Sequence, residues 1–377
     1  MKRLSLILMA FLVCGALTTG SAIAQSKFEF KLGFKELADQ IPDIVGEPLE
    51  DQHHNIDNGD ALQMTTKGLM VWRKADNWTA FTNGHRTWIN GPFGIEERGN
   101  DERFKWELPI LPAVTPSGGA SRPNSVLSDS LLVTWYGNPH TPLMGILGEY
   151  EGEELARRLK EQAAAFEPLT TKKVVPAYHL IAVVAQGGPG DDGLWRRREL
   201  KEVIDSMLEQ ARANGFPLIL DVQVGHSRVE DELDYLKPWL EEPDVYLALD
   251  PEFDMWPGQV PGEHIGHTVA AEVNYALHFL ENIIYSEQLP PKVLIVHQFT
   301  QNMLPDKERI RWSPVVDLVL DMDGFGNQQI KLGSYSMVME TPLQFAGIKL
   351  FYQYDPDLFS PEQLMKLNPV PSVVIYQ

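Results

Sequence analysis

The chain contains a single cysteine, Cys14, among its 377 residues. It lies in an apolar N-terminal run that we expect to be removed, so the mature protein should have no disulfide, no thiolate nucleophile and no cysteine-ligated metal. Positive charge is also scarce, with 32 Lys and Arg against 52 Asp and Glu and a net charge of −20. This balance argues against binding to a nucleic-acid backbone or to anionic lipid and leaves neutral partners such as sugars open.

Several motifs that would assign a reaction are also missing. The sequence has no Gly-x-Gly-x-x-Gly or Walker loop for a nucleotide, no Gly-x-Ser-x-Gly elbow for a serine nucleophile, and no His-Glu-x-x-His zinc-protease motif. We therefore expect no organic cofactor.

The first 24 residues have the pattern of a secretory signal peptide. Lys2 and Arg3 precede an apolar stretch over residues 4–17, and Ala22-Ile23-Ala24 matches a small-x-small cleavage site. The apolar stretch is too short for a confident membrane span. We expect cleavage near Ala24 and export of the mature chain to the exterior or the cell envelope.

A loose proline- and glycine-rich stretch, residues 109–128, is typical of a linker. The segment before it, residues 25–108, is rich in turn signals, and Asn83-Gly84 between strand-forming runs predicts a β-hairpin with both turn residues at positive φ. The sequence thus indicates a small, mainly β domain. Its tryptophans form either the core of a small sheet, which we favour for at least half of them, or a sugar-stacking surface; they are Trp72, Trp78, Trp88 and Trp106.

Part of this segment resembles a known repeat. Val45-Gly46-Glu47-Pro48-Leu49, then residues 59–63 and Gly68-Leu69-Met70-Val71-Trp72, are similar to the LGFP-type repeat of secreted bacterial proteins. The resemblance implies an association with the cell wall.

Residues 129–377 alternate between strand and helix patterns. Amphipathic periodicity predicts helices near residues 155–166, 200–211 and 269–284. The eight predicted strands are continuously apolar runs at 131–136, 178–185, 217–222, 245–249, 293–297, 315–320, 347–352 and 373–376. This count favours a TIM-type (β/α)₈ barrel. Weak helix patterns before the last three strands indicate an irregular barrel, and a doubly wound open sheet is the alternative.

In such a barrel the carboxyl ends of the strands carry the active site. Polar residues gather after most of the predicted strands, and we assign them to substrate binding. They are Tyr136, His140, Asp221, Gln223, His226, Asp254, His297, Gln298, Tyr352, Gln353 and Tyr376.

The fourth predicted strand ends in Asp250-x-Glu252. If the strand stays extended, both side chains point the same way and their Cα atoms lie about 6.5–7 Å apart. Two carboxylates this close repel, so one pKa should rise and create an acid while the other stays ionised. We predict Glu252 as the catalytic acid and Asp250 as its tuning partner, with Asp321 or Asp323 as the second catalytic carboxylate. Alternatively, the pair only caps the following loop or forms ion pairs with cations, without any role in catalysis.

This Asp-x-Glu resembles the one at strand four of chitinase-like glycosidases and muramidase-type lysozymes. The resemblance implies that Glu252 is the acid and that a strand-six aspartate joins the site. The longer chitinase pattern would need acids where Val245 and Ala248 stand, and the muramidase type would need one on strand one, near Trp135. Residues 249–254, 290–299 and 321–326 resemble those of secreted bacterial barrel proteins that have no assigned role.

Metal binding is the next interpretation. His264 and His267 are three residues apart, with Glu263 and Glu272 close in sequence. A divalent ion could also bind among Asp221, His226, Asp250, Glu252 and His297. Three functions therefore stay open: a hydrolase of polysaccharide or cell-wall glycan, a non-catalytic glycan-binding or envelope protein, and a metal-dependent hydrolase.

Overall fold

The computed structural model describes residues 28–377 except 57, 75–76, 92–93, 101, 105–106, 108–124 and 341–343. The predicted signal peptide and most of the predicted linker lie outside the described residues. The chain divides into two compact units, residues 1–102 and 103–377.

The described part of the first unit contains two short helices and a six-stranded antiparallel sheet whose strands are ordered as in the sequence. Its helices are α1 (Leu32–Gln40) and α2 (Pro42–Val45); its strands are β1 (His53–His54), β2 (Ala61–Met64), β3 (Leu69–Trp72), β4 (Thr79–Thr82), β5 (Arg86–Gly91) and β6 (Gly94–Gly99).

The predicted hairpin joins β4 to β5, but three residues, 83–85, separate the strands instead of the expected two. Gly84 has a φ of +92°, whereas Asn83 does not adopt positive φ. Instead, the Asn83 side chain accepts hydrogen bonds from the backbone N–H groups of His85 and Arg86, both at 2.9 Å. The polar side chain thus fixes the turn in place of a second left-handed residue.

The aromatic residues of this unit contribute mainly to its core. Trp88 is buried and its ring lies 5.8 Å from that of Phe81, while Trp72 is partly buried against the same cluster. Trp78 is half-buried. Trp106 lies outside the described residues.

The second unit is a closed barrel of eight parallel strands, as predicted. The strands are β7 (Ser130–Gly137), β8 (Lys173–Ala185), β10 (Leu218–Val222), β11 (Val245–Leu249), β12 (Lys292–Gln298), β13 (Val316–Met322), β14 (Phe345–Leu350) and β15 (Val373–Tyr376). The ring closes because β15 pairs with β7, which rules out the open sheet. A short strand β9 (Arg196–Arg198) extends β8 in antiparallel fashion.

The helices around the barrel are uneven. They are α3 (Val126–Asp129), α4 (Gly152–Ala164), α5 (Lys201–Ala213), α6 (Val229–Leu240), α7 (Ala270–Ser286), α8 (Gln328–Val338) and α9 (Pro361–Leu364). Between β12 and β13 the described chain forms two single 3₁₀ turns, Gln301–Met303 and Lys307–Arg309, and α9 has only four residues. The barrel is therefore irregular before β13 and β15, as predicted. The prediction was wrong for β14, which follows the 11-residue helix α8.

Alternation along the strands separates two apolar layers. One set of side chains fills the barrel interior, including Leu132, Ile219 and Val293, and the alternate set packs under the helices. At the amino-terminal end of the barrel, Leu127 of α3 is fully buried in the interior cluster. Asp317 holds α3 there by accepting hydrogen bonds from Ser125 Oγ and Leu127 N, both at 2.8 Å.

Among the described residues, no helix combines the length and apolar character needed to cross a bilayer.

Candidate active site

At the carboxyl ends of the strands the barrel interior changes from apolar to ionisable. We call this set the barrel cluster. Nearly all of its side chains are buried, and Glu252 is half-buried. Its members are Tyr136, His179, Asp221, Gln223, Asp250, Glu252, His297, Asp321, Asp323 and Lys349.

His297 of β12 lies at the centre of the barrel cluster. Its Nε2 is 2.9 Å from Asp221 Oδ2 and its Nδ1 is 2.9 Å from Asp321 Oδ2. Burial by itself would lower the pKa of His297, but these two hydrogen-bonded carboxylates outweigh burial and hold the pKa well above its ordinary value. His297 is therefore an imidazolium that donates a hydrogen bond from each ring nitrogen.

His179 of β8 is neutral although it contacts the same carboxylate. Its Nε2 lies 3.2 Å from Asp221 Oδ2, and burial lowers the pKa of His179 to about 4 in spite of that contact. Burial would raise the pKa of Asp221, but the hydrogen bonds from His179 and His297 reverse the shift and keep the pKa below its usual range. Asp221 is thus an ionised acceptor shared by two imidazoles.

Lys349 of β14 supplies a second buried cation. Its Nζ lies 3.3 Å from Asp323 Oδ2 and 3.6 Å from the centroid of the Tyr136 ring. Burial opposes the charge, yet the carboxylates led by Asp323 keep the pKa of Lys349 above its ordinary value. Next to it, the Gln223 amide donates to the Tyr136 hydroxyl and to Asp250 Oδ2, both at 3.3 Å.

The Asp250-x-Glu252 pair does not lie on an extended strand. Strand β11 ends at Leu249, and residues Pro251–Phe253 form a 3₁₀ turn whose first N–H groups need acceptors. Asp250 Oδ1 accepts from the Glu252 backbone N–H at 3.2 Å. Asp250 therefore caps the turn from inside the barrel, which is the structural role that the sequence left open, and Glu252 lies half-buried beyond it.

The two acids nevertheless both have raised pKa values. Burial, followed by the charge of Asp221, raises the pKa of Asp250 well above its ordinary value and favours its protonated form. Burial, followed by the charge of Asp323, raises the pKa of Glu252 to about 7. The carboxylate that acts most strongly on Glu252 is therefore Asp323, rather than the predicted partner Asp250.

Two glycines make this packing possible. At Gly347 a Cβ atom would lie 2.7 Å from Asp321 Oδ1, so the absent side chain leaves room for the aspartate in the barrel. At Gly266 a Cβ atom would lie 2.5 Å from the Asp254 carbonyl. The Gly266 N–H donates to the Glu252 carbonyl at 2.7 Å, so the loop after β11 folds back against Glu252.

The structure brings together eight of the residues that the sequence singled out and separates seven others from them. Those in the barrel cluster are Tyr136, Asp221, Gln223, Asp250, Glu252, His297, Asp321 and Asp323. Those elsewhere are His140, His226, Asp254, Gln298, Tyr352, Gln353 and Tyr376.

Side chains alternate between the inside and the outside of the barrel along each strand, and this explains why several of the predicted residues lie away from the barrel cluster. Because Lys349 points inward, Leu350 joins the outer layer and Tyr352 follows outside the barrel. Tyr376 likewise belongs to the outer layer and stacks on Tyr352 at 5.6 Å. Gln298 follows the inward His297, and its amide donates to the Thr300 carbonyl at 3.0 Å.

The remaining predicted residues belong to the loops. His140 lies 3.2 Å from Glu199 Oε2 and is half exposed. The His226 ring lies 2.9 Å from the Gln259 carbonyl oxygen, and Asp254 is buried, with its backbone paired to Gly225. Gln353 is exposed beside Tyr352.

The sequence reasoning missed His179 and Lys349. Each interrupts a mainly apolar run within its strand. A buried charge needs a partner, so this interruption was the available signal for both residues.

Two overlapping groups in the barrel cluster have the donor types that bind metals. The ligand atoms of His179, Asp221 and His297 lie within 4.8 Å of one another, as do those of His297, Asp321 and Asp323. Nδ1 of His179 and Oδ1 of all three aspartates have no hydrogen-bond partner. Nitrogen and carboxylate donors of this kind suit a divalent transition metal.

The predicted His264 and His267 pair has other contacts. Val260 N–H donates to His264 Nδ1 at 3.1 Å, and the His267 ring stacks on Trp256 at 4.8 Å. Thr268 Oγ1 donates to Glu272 at 2.6 Å, and Glu263 is exposed. This pair organises the loop after β11.

No protein-family model and no curated protein matches this chain.

Proposed function

We propose that this protein is a glycoside-hydrolase-like enzyme that cleaves a polysaccharide or cell-wall glycan by carboxylate chemistry, with Glu252 as the general acid. One observation carries the proposal. Glu252 is the least buried carboxyl group of the barrel cluster, and its pKa of about 7 leaves a large protonated fraction near neutral pH. A proton donor works best when its pKa lies near the working pH.

Asp323 is the second carboxylate in this proposal. After burial, its charge has the largest effect on the pKa of Glu252. Burial raises the pKa of Asp323, but the ammonium of Lys349 opposes that rise most strongly and favours the ionised form. One carboxyl group that keeps its proton and a second beside a cation are the two partners that glycoside hydrolysis needs.

The other parts of the barrel cluster would hold this pair in place. Asp250 fixes the turn that carries Glu252, and His297 keeps Asp321 and Asp221 paired at the centre of the barrel. The Asp-x-Glu resemblance to barrel glycosidases supports the same assignment. The N-terminal signal-peptide pattern and the LGFP-like segment support export and wall targeting as part of the proposal.

The test is turnover of soluble and wall-derived glycans by wild type and Glu252→Gln. Loss of the acid should lower the rate by about 10²–10⁴-fold. Glu263→Gln is the matched control, because Glu263 is exposed on the following loop and should leave the rate unchanged. Equal rates for wild type and Glu252→Gln would refute the assignment, and binding without turnover in both proteins would favour the non-catalytic glycan binder.

A metal-dependent hydrolase is the second candidate. The unpartnered His179 Nδ1 and Asp221 Oδ1 favour it, since buried polar atoms normally have partners. His179, Asp221 and His297 would then hold the ion, which would supply Lewis-acid chemistry. The test measures the metal content of the purified protein. It also measures activity and thermal unfolding before a chelator is added, after it is added, and after Zn²⁺ or Mn²⁺ is restored. These results decide between the two candidates. If the chelator lowers both the thermal stability and the activity, the metal-dependent hydrolase replaces the metal-free proposal.

A further inference from the structure

A groove lies on the outer side of the barrel, away from the barrel cluster. It encloses about 510 Å³, within the range of small-molecule sites. Its walls include Trp135 of β7, Tyr150 just before α4, Arg158 and Gln162 of α4, and Tyr352 after β14. We call it the outer groove.

Three of the residues that line it are aromatic, and Trp135 among them is only 4% exposed. The Trp135 and Tyr150 rings lie 5.9 Å apart. On the other side, Tyr352 stacks almost parallel on Tyr376, at 5.6 Å and 20°, and remains 37% exposed. Tyr376 thus supports the Tyr352 ring from behind and leaves a rigid aromatic surface open to solvent.

Planar polar groups stand between the rings. The Tyr352 hydroxyl donates to Gln162 Oε1 at 3.1 Å. The Arg158 guanidinium lies 4.3 Å from the Tyr150 ring centroid and donates to Glu154 Oε1 at 2.6 Å. The outer groove therefore offers hydrogen-bond donors and acceptors at the edges of apolar ring faces.

Exposed rings continue from the outer groove to the loop that follows β13. Tyr352 also borders a smaller hollow that includes Leu143 and Tyr354. Tyr354 is 61% exposed, and its ring lies 5.7 Å from that of Phe325, which is 65% exposed. Phe325 is only two residues after Asp323. A ligand that extends over several units could therefore contact these rings and reach the loop that carries the proposed second carboxylate.

We infer that the outer groove, bounded by Trp135, Tyr150 and Tyr352, binds a neutral saccharide chain as a distal subsite. Sugar rings present C–H faces that pack on aromatic rings and hydroxyl groups that pair with planar amide and guanidinium edges. The net charge of −20 disfavours a polyanionic chain. That the bound glycan is also the substrate rests on the proposed function. Binding in the outer groove, however, can be measured without turnover.

The experiment uses the full chain carrying Glu252→Gln, so that no ligand is consumed. Calorimetry measures binding of short and long neutral oligosaccharides of the chito-, cello- and malto-series, and of a proline-free neutral peptide. Tyr352→Ala should weaken binding of the long saccharides about tenfold, since it removes one ring contact. Tyr352→Phe keeps the ring and should retain most of the affinity. Trp312→Ala, which removes an exposed ring just before β13, should have no effect.

A second variant guards against misfolding of Tyr352→Ala. Arg158 is exposed on α4, and Arg158→Ala should weaken the same saccharides while urea unfolding stays at the parent value. Absence of saccharide binding to the parent, equal binding by the parent and both variants, or preference for the peptide would each overturn the inference. Saccharide binding that depends on Tyr352, in a wild-type protein without turnover, would uphold the outer groove and refute the enzyme. Turnover that depends on Glu252, together with saccharide binding that does not change when Tyr352 is replaced, would uphold the enzyme and refute the outer groove.

Discussion

The substitution Lys349→Met, at the buried lysine of the barrel cluster, tests whether this ammonium compensates the buried charge of Asp323. The methionine keeps the length of the side chain but removes the ammonium that lies 3.3 Å from Asp323. At that separation the attraction is about 5 kcal/mol for an effective dielectric constant of about 20. Losing one partner of a buried pair costs about 3–5 kcal/mol of folding free energy, because the other charge stays buried without compensation.

The loss should depend on pH. Lys349 opposes the burial-driven rise in the pKa of Asp323, so its removal raises that pKa further above the unfolded-state value. A carboxyl group with a raised folded-state pKa costs stability once the pH exceeds its unfolded pKa, and less when both states are protonated. The variant should therefore lose more stability relative to wild type at about pH 8 than at about pH 5.

Urea unfolding at both pH values measures this difference. Lys349→Met/Asp323→Asn should recover much of the stability at high pH, because the uncompensated charge is gone. Lys307→Met is the control, since its buried ammonium donates to the Val338 carbonyl instead of to a carboxylate of the barrel cluster, and adding Asp323→Asn to it should rescue nothing. A loss for Lys349→Met that is the same at both pH values and is not rescued by Asp323→Asn would refute the reasoning.

Three further predictions concern stability. The contribution of Glu252 to stability should fall as the pH rises from 4.5 to about 7, because the unfolded chain releases the proton of Glu252 first; His179 acts in the opposite direction over nearly the same range, so the urea-midpoint difference between wild type and Glu252→Gln is the measurement, and a difference that does not change with pH would contradict the raised pKa. Gly347→Ala should cost about 1–3 kcal/mol in urea unfolding, because its Cβ would press on Asp321, and wild-type stability would show that the strand has room to move. Leu127→Ala should cost about 2–5 kcal/mol by emptying the amino-terminal end of the barrel, whereas Leu143→Ala, at an exposed position, should stay within about 0.5 kcal/mol; similar losses for the two would contradict the packing role of α3.

The barrel was predictable because its strands are continuous apolar runs. A parallel strand that is covered on both faces is apolar at every position instead of alternating with polar residues. The apolar run at residues 245–249 therefore coincides with β11. The helical periods of α5 and α7 supplied the intervening layers. The rule that the carboxyl ends of barrel strands carry the active site placed the polar residues at one end of the barrel. Many of them do meet there.

The side chains that meet could be predicted only in part. Asp250 and Glu252 were expected to share one face of a strand, but Pro251 begins a 3₁₀ turn and Asp250 caps it. Tyr352 and Tyr376 were expected in the site, but strand alternation directs both outside the barrel, where Tyr352 lines the outer groove and Tyr376 packs behind it. His179 and Lys349 were missed because a lone ionisable residue in a strand does not reveal its partner.

The sequence by itself determined the repeating apolar segments, the acidic balance and the presence of acids after the strands, since each depends on residues close together in the chain. Only the tertiary structure decided that His297 lies between Asp221 and Asp321, and that Lys349 compensates Asp323. The physical reason is that proton affinity in a dry interior depends on burial and on charges a few ångströms away. Residues that are distant in the chain supply those charges, and ring closure brings them together.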